Sequence, residues 1–281
     1  MVESEIYEDG AAAALPRQSP SLMLVFWLLG SLLLALVLLP LISLIATPSL
    51  ADLIKAARDS EVRNALWLSL AGAMLTALVA GVVGVPLAYL LSRSRFPGRG
   101  IVAAIVDIPM SVPHTVAGIA LLMVFGRRGI IGAPAEAFLG LRFWASLAGI
   151  VVAMLFVSAP YTVNAARLGF EAIDPRLEKV ARTLGMRPWQ VFLRITLPLA
   201  WRGVATGLTL TFARAISEFT AVSILVYYPM TAPVQIYELF LRFGLDTAAA
   251  VAVLLLVLAL ALFILFRQVA YGRAAPLGPG R

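Results

Sequence analysis

An all-helical membrane protein with six transmembrane spans is the fold class this sequence predicts, and three observations carry it. Hydrophobic residues make up 61% of the 281 and charged residues only 13%, where an ordinary soluble domain has about 45–50% and about 25%. The apolar residues gather in six runs, each near or above the roughly 20 residues that cross a bilayer as a helix. The runs are continuous and not alternating, which argues against barrel strands.

The elements follow in order. Met1–Pro20 carries Glu3, Glu5, Glu8 and Asp9 against Arg17 alone. That balance lacks the basic start of a signal peptide, and the apolar run after it is longer than a typical signal core. The tail is therefore expected to be mostly disordered, and Ser21–Ala46 to be an uncleaved first span. Asn64–Ser92 is the second. Gly100–Gly126 is the third and holds Asp107 and His114. Phe143–Ala166 is the fourth. Gly203–Tyr237 is the fifth, longer than one span needs, with Arg214 and Glu218 inside it. Thr247–Phe266 is the sixth. One membrane domain thus covers 21–268, with a short tail over 269–281.

Six spans put both termini on one side. Fourteen Lys and Arg lie on that side, in the tails and the loops after spans 2 and 4, against seven on the other. Basic loops stay inside, so both termini, the Ser92–Gly100 loop and the Arg167–Arg202 segment are expected to be cytoplasmic, in a cytoplasmic (inner) membrane. The net charge of +7 fits loops beside anionic headgroups and not a nucleic-acid partner.

Several function classes fall away. There is no Cys, so disulfides, thiolate metal sites and Cys nucleophiles are absent. His114 is the single His, which excludes a multi-histidine metal site. No phosphate-binding G-x-x-x-x-G-K-[ST] loop and no H-E-x-x-H motif occurs. We expect no catalytic residue, no metal and no cofactor in this chain. The paired internal repeat of many secondary transporters is also missing.

The longest segment between spans, Arg167–Arg202, carries the main signal. Asp174 is placed to cap a helix that starts at Pro175. Leu177, Val180, Ala181 and Leu184 recur at helical spacing as one apolar stripe, with Arg176, Glu178, Lys179 and Arg182 off it, and Gly185 ends the helix. A second short helix is expected over Pro188–Ile195, ended by Pro198. Such a helix lies flat at the headgroups or docks its stripe into a groove on a soluble partner.

The sequence ARTLG at Ala181–Gly185, followed by I-x-L-P at Ile195–Pro198, resembles the cytoplasmic signature of permease subunits of ABC importers. The usual Glu-Ala-Ala start of that signature falls on Lys179, Val180 and Ala181, of which only Ala181 matches, with Glu178 one place early. IDPRLEKVARTLG, IVDIPMSVPHTVAGIALLMVFG, GIVVAMLFVSAPY and RAISEFTAV extend the likeness over about Arg58–Phe266. They look like the molybdate/tungstate branch, with sulfate permeases as near relatives. The resemblance implies a six-helix permease acting as a homodimer, two ATPase subunits that bind ATP and Mg, and an extracytoplasmic oxyanion-binding protein. It also implies that Pro175–Gly185 is a coupling helix, with Glu178, Lys179, Ala181, Arg182, Gly185 and Pro198 as the ATPase-coupling residues.

Ionisable groups within a bilayer are expensive and face a bundle interior or a water-filled cavity. Asp107 lies roughly 10 Å into span 3 and Arg214 roughly 16 Å into span 5, with Glu218 one turn further. Arg214 and Glu218 are spaced i, i+4 on one face, and Asp107 is a candidate second partner for Arg214. Pro109 and Pro113 are expected to kink span 3 beside His114 and Thr115. The cluster either neutralises itself and holds spans 3 and 5 together, or offers Arg214 to a passing dianion. The candidate translocation path is Asp107, Pro113, His114, Thr115, Arg214, Ser217 and Glu218. The function expected is import of a tetrahedral oxyanion driven by a partner's ATP hydrolysis. The alternative is an ion-coupled secondary transporter using Asp107, His114 and Glu218.

Overall fold

The computed structural model describes Pro20–Gly272, and every regular element among the described residues is helical. The expectations about the two tails fall mainly on residues outside that range.

The chain divides into two units, the first ending at Thr47. The described part of the first is α1 (Pro20–Ala46), 27 residues long, or about 40 Å. Its large apolar side chains are almost all exposed, as suits a helix surrounded by acyl chains.

The second unit begins at Pro48. In chain order it holds α2 (Leu50–Arg58), α3 (Ser60–Arg93), α4 (Arg99–Ser111), α5 (His114–Phe125), α6 (Gly132–Leu139) and α7 (Leu147–Glu171). Then come α8 (Pro175–Thr183), α9 (Pro188–Val191), a π-helical turn over Phe192–Thr196, and α10 (Leu197–Leu199). The unit closes with α11 (Trp201–Ile216), α12 (Thr220–Leu225), α13 (Ala232–Phe243) and α14 (Leu245–Gly272). Side-chain caps set several starts. Asp59 accepts from the Glu61 N–H ahead of α3, Ser146 from the Gly149 N–H ahead of α7, and Asp174 from the Arg176 N–H ahead of α8. Helices α3, α7 and α11 pack on one another as the centre of the unit. Ile150, Met154, Phe170 and Phe212 are fully buried among them.

Among the described residues four helices are long and apolar enough to cross a bilayer, at Ser21–Ala46, Ser60–Arg93, Leu147–Glu171 and Leu245–Gln268. They coincide with expected spans 1, 2, 4 and 6. The two runs that carry charge differ from simple spans. Helices α4 and α5 meet at a 112° bend. Pro113 holds Val112 extended, at φ −78° and ψ 130°, because the residue before a proline avoids the helical region. The run Gly203–Tyr237 is not one long helix. It consists of α11, a break at Ser217–Phe219, the short α12, a turn through Pro229, and α13. Pro198 also acts otherwise than expected. It does not end the second short helix, which continues through the π turn into α10. The π turn is closed by the Leu197 N–H donating to the Phe192 carbonyl, one residue beyond the usual α partner. Pro198 itself has no N–H to donate.

Candidate functional site

The two broken runs bring their breaks together. Helix α12 packs against α5, and the approach is close at Gly118, where a Cβ would lie 2.9 Å from Ile224 Cδ1 and 3.2 Å from the Ala221 Cα. A side chain there would make Ile224 or the α12 backbone shift. This contact sets the start of α5, at His114, beside the end of α11, at Arg214.

At the meeting point Arg214 Nη2 lies 2.9 Å from Glu218 Oε2. The same nitrogen lies 2.9 Å from His114 Nε2 and 3.0 Å from Nδ1, while His114 Nδ1 is 3.2 Å from Glu218 Oε2. Arg214 Nη2 donates to the His114 ring, so one imidazole nitrogen serves as its acceptor. Glu218 Oε1 accepts from the Ala221 N–H at 2.9 Å, so one carboxylate both balances Arg214 and caps α12. Neither Arg214 nor His114 approaches Oε2 with good hydrogen-bond angles, which makes the Arg214–Glu218 pair a matter of charge more than of direction. Side-chain exposure sorts the roles. Glu218 is 1% exposed, Arg214 23% and His114 36%. The carboxylate is sealed in, and the two bases remain reachable. Ser217, Pro113 and Thr115 are exposed beside them, and Ser217 Oγ donates to the Arg214 carbonyl at 3.0 Å.

Asp107 does not join this cluster. It accepts from Asn164 Nδ2 at 2.6 Å, which ties α4 to α7. The proposed Asp107–Arg214 contact is therefore replaced by His114–Arg214. Asn164 is a site residue that sequence reasoning missed. Its signal was a single carboxamide in an otherwise uncharged span.

The second cluster lies at the far end of α3. Helix α8 ends where Gly185, at φ +88°, turns the chain with its N–H on the Arg182 carbonyl and the Met186 N–H on the Ala181 carbonyl. Glu178 faces inward and is 7% exposed. Its Oε1 accepts from Arg93 Nε at 2.8 Å and Thr196 Oγ1 at 3.1 Å, and its Oε2 from the Tyr89 hydroxyl at 3.1 Å. Arg93 Nη2 also donates to the Ile173 carbonyl at 3.0 Å. Glu178, expected among the partner-contacting residues, is instead the hub that fastens α8 to α3 and to the π turn. Ala181 is buried on the same face. Leu177, Val180 and Leu184 of the predicted stripe are exposed, as are Trp189 and Leu193. Lys179, Arg182, Gly185 and Pro198 are exposed as well. Apart from Ala181, the apolar stripe thus has no cover within this chain among the described residues.

A family model described as binding-protein-dependent transport system inner membrane component matches residues 81–274. The molybdate/tungstate transport system permease protein WtpB of Thermococcus kodakarensis is 43% identical over 245 residues, covering 86% of this chain and 93% of that one. The molybdenum transport system permease protein ModB of Escherichia coli K12 is 38% identical, over 66% of this chain and 83% of its own. A solved bacterial ABC transporter that imports the acidic polysaccharide alginate has a chain of the same fold. Its TM-score is 0.71 at 18% identity, covering 91% of this chain and 97% of that chain.

Proposed function

This chain belongs to the family of binding-protein-dependent transport system inner membrane components, and from that premise we propose that it is the permease subunit of an ATP-driven importer for a tetrahedral oxyanion, molybdate or tungstate first and sulfate next. It lies in the cytoplasmic membrane with both termini inside. Each broken run completes a span through its break, so that six spans make up the domain over 21–268. Two copies pair, two ATPase subunits hold the ATP and Mg, and an extracytoplasmic binding protein delivers the anion. The chain itself makes and breaks no covalent bond.

Helix α8 supplies the coupling. Leu177, Val180 and Leu184 enter a groove on the ATPase with Lys179 and Arg182 at its rim, while Glu178 and Ala181 hold the helix to its own chain. On the path, His114, Thr115, Arg214 and Ser217 face the anion. Glu218 balances Arg214, so the well the anion meets is shallow and does not trap it. The observation that carries this reading is the open basic pair, Arg214 and His114, at the junction of two broken helices, in a chain so similar to molybdate/tungstate permeases.

The test is transport by the reconstituted complex. Liposomes carrying this chain with its ATPase, and supplied with the binding protein, take up labelled molybdate or tungstate only when ATP is present on the α8 side. Uptake driven by a proton gradient without ATP overturns the reading and favours the ion-coupled alternative through Asp107, His114 and Glu218.

A further inference from the structure

Helices α3, α4, α5 and α7 leave between them an apolar crevice of about 410 Å³. Leu87, Val106, Pro109, Phe125, Phe156 and Val163 are among its walls, and no polar side chain lines it. None of the candidate path residues lines it either, so the anion route does not account for it.

Toward the start of α4 and the end of α7 the same walls carry charge. Arg99 lies seven residues before Val106 on α4, and Arg167 four after Val163 on α7. Both spacings keep one helical face, so the two arginines stand about 10 Å and about 6 Å along the helices from the crevice lining. They come together on one acid. Arg99 Nη2 lies 3.4 Å and Arg167 Nε 3.6 Å from the same oxygen of Glu171. One carboxylate for two guanidinium groups leaves a net positive charge. The contacts are also loose. Arg167 Nε makes no hydrogen bond, and both arginine side chains remain partly exposed. Each guanidinium has five N–H donors, so Glu171 leaves most of them free. Because both groups touch one oxygen atom, a single phosphate can bridge them, and the planar guanidinium fork suits phosphate oxygens.

A ligand that fills both parts has an anionic head and a long apolar chain. We propose that this is a binding site for an anionic phospholipid of the cytoplasmic leaflet, with its phosphate on Arg99 and Arg167 and one acyl chain in the crevice. The proposal rests on the orientation given above, which puts the arginines at the level of the cytoplasmic headgroups, where acidic lipids lie and basic pockets between helices bind them. The crevice then lies at the depth of the acyl chains.

The test uses the purified complex of this chain with its ATPase in detergent. Phosphatidylglycerol carrying a photoreactive diazirine in one acyl chain is added, and the labelled peptides are mapped after illumination. Phosphatidylcholine with the same chain and glycerol phosphate with none are the comparisons. Phosphatidylglycerol is expected to label the α4 and α7 walls of the crevice, and an excess of glycerol phosphate to leave that label in place. Arg99→Gln together with Arg167→Gln is expected to lower it about tenfold or more, to the level of phosphatidylcholine. Ala159→Phe, which fills the crevice from its α7 wall, is expected to remove it with both arginines intact. Equal labelling of the charge variant and the wild type reduces the crevice to ordinary lipid contact and overturns the site. Competition by glycerol phosphate, which marks a site for a free anion, overturns it as well. So does a crevice that takes no label, the result expected where a helix of a second copy covers it. ATP-driven uptake by the same preparation after reconstitution keeps the two readings apart. Normal uptake without selective labelling overturns the lipid site alone, and selective labelling without ATP-driven uptake overturns the transport reading alone.

Discussion

Replacing Arg214 by Ala removes the cation 2.9 Å from a carboxylate that is 1% exposed. Breaking a buried ion pair from one side costs about 3–5 kcal/mol, because the remaining charge is stranded. Glu218 keeps the Ala221 N–H at 2.9 Å and His114 Nδ1 at 3.2 Å, which places the cost near the low end, about 3 kcal/mol. That is about two orders of magnitude in an assembly equilibrium. The yield and thermal midpoint of the purified complex read it. Adding Glu218→Gln removes the stranded charge, keeps the side chain's shape and still leaves an oxygen for the Ala221 N–H, so assembly returns. Uptake then separates the two roles. If Arg214 meets the oxyanion, the double variant assembles as the wild type does and carries molybdate or tungstate slowly. Wild-type uptake from the double variant refutes the contact and leaves Arg214 as a structural counter-charge.

Three further outcomes are expected. Arg93→Ala strands Glu178 in the same way and lowers the thermal stability of the complex by about 3 kcal/mol. Adding Glu178→Gln removes the stranded charge, leaves an oxygen for the Thr196 hydroxyl and restores part of it, and an unchanged midpoint in Arg93→Ala would show that the hub does not hold α8. Gly185→Val forces a β-branched residue to φ +88° at about 1–3 kcal/mol, so transport-linked ATP hydrolysis falls while membrane insertion is normal; full coupled activity would put the docking element elsewhere. Single cysteines at Ser94 and Arg187, in a chain with no other Cys, stay unlabelled by an impermeant thiol reagent added outside intact cells, and labelling of either reverses the orientation.

Spans 1, 2, 4 and 6 were legible because a continuous apolar composition is enough to specify them. Pro109 and Pro113 marked the bend between α4 and α5, but neither its 112° angle nor the packing of α12 on Gly118, a long-range contact, is carried by a local pattern. Depth arithmetic brought Asp107 near Arg214 and was misleading. Rise per residue fixes height in the bilayer and says nothing of which way a side chain turns. Asp107 turns to Asn164 on α7, and His114, one residue after the proline that ends α4, takes the place beside Arg214. The break inside Gly203–Tyr237 had a local sign, since Glu218 is an acid three residues before an N–H it caps.

Helix α8 shows the limit of periodicity most sharply. Spacing grouped Leu177, Val180, Ala181 and Leu184 apart from Glu178; the structure keeps Leu177, Val180 and Leu184 together outside but puts Ala181 inside with Glu178, and spacing does not say which group is inside. In the structure the carboxylate is inside and the leucines are outside, the reverse of an ordinary surface helix. The inward half is stable because Arg93, Tyr89 and Thr196 supply every donor Glu178 needs. The outward half is not self-sufficient. Leaving a Leu or Val side chain in water forgoes about 1.5–3 kcal/mol each relative to burial, and three stand in a row with Trp189 nearby. The proposed coupling role, in which the ATPase covers these side chains, would remove that cost. The same ion pair ends on Arg93, at the last turn of α3, so in the proposed coupling role α8 would be tied directly to the long helix at the centre of the unit and not through a loop alone.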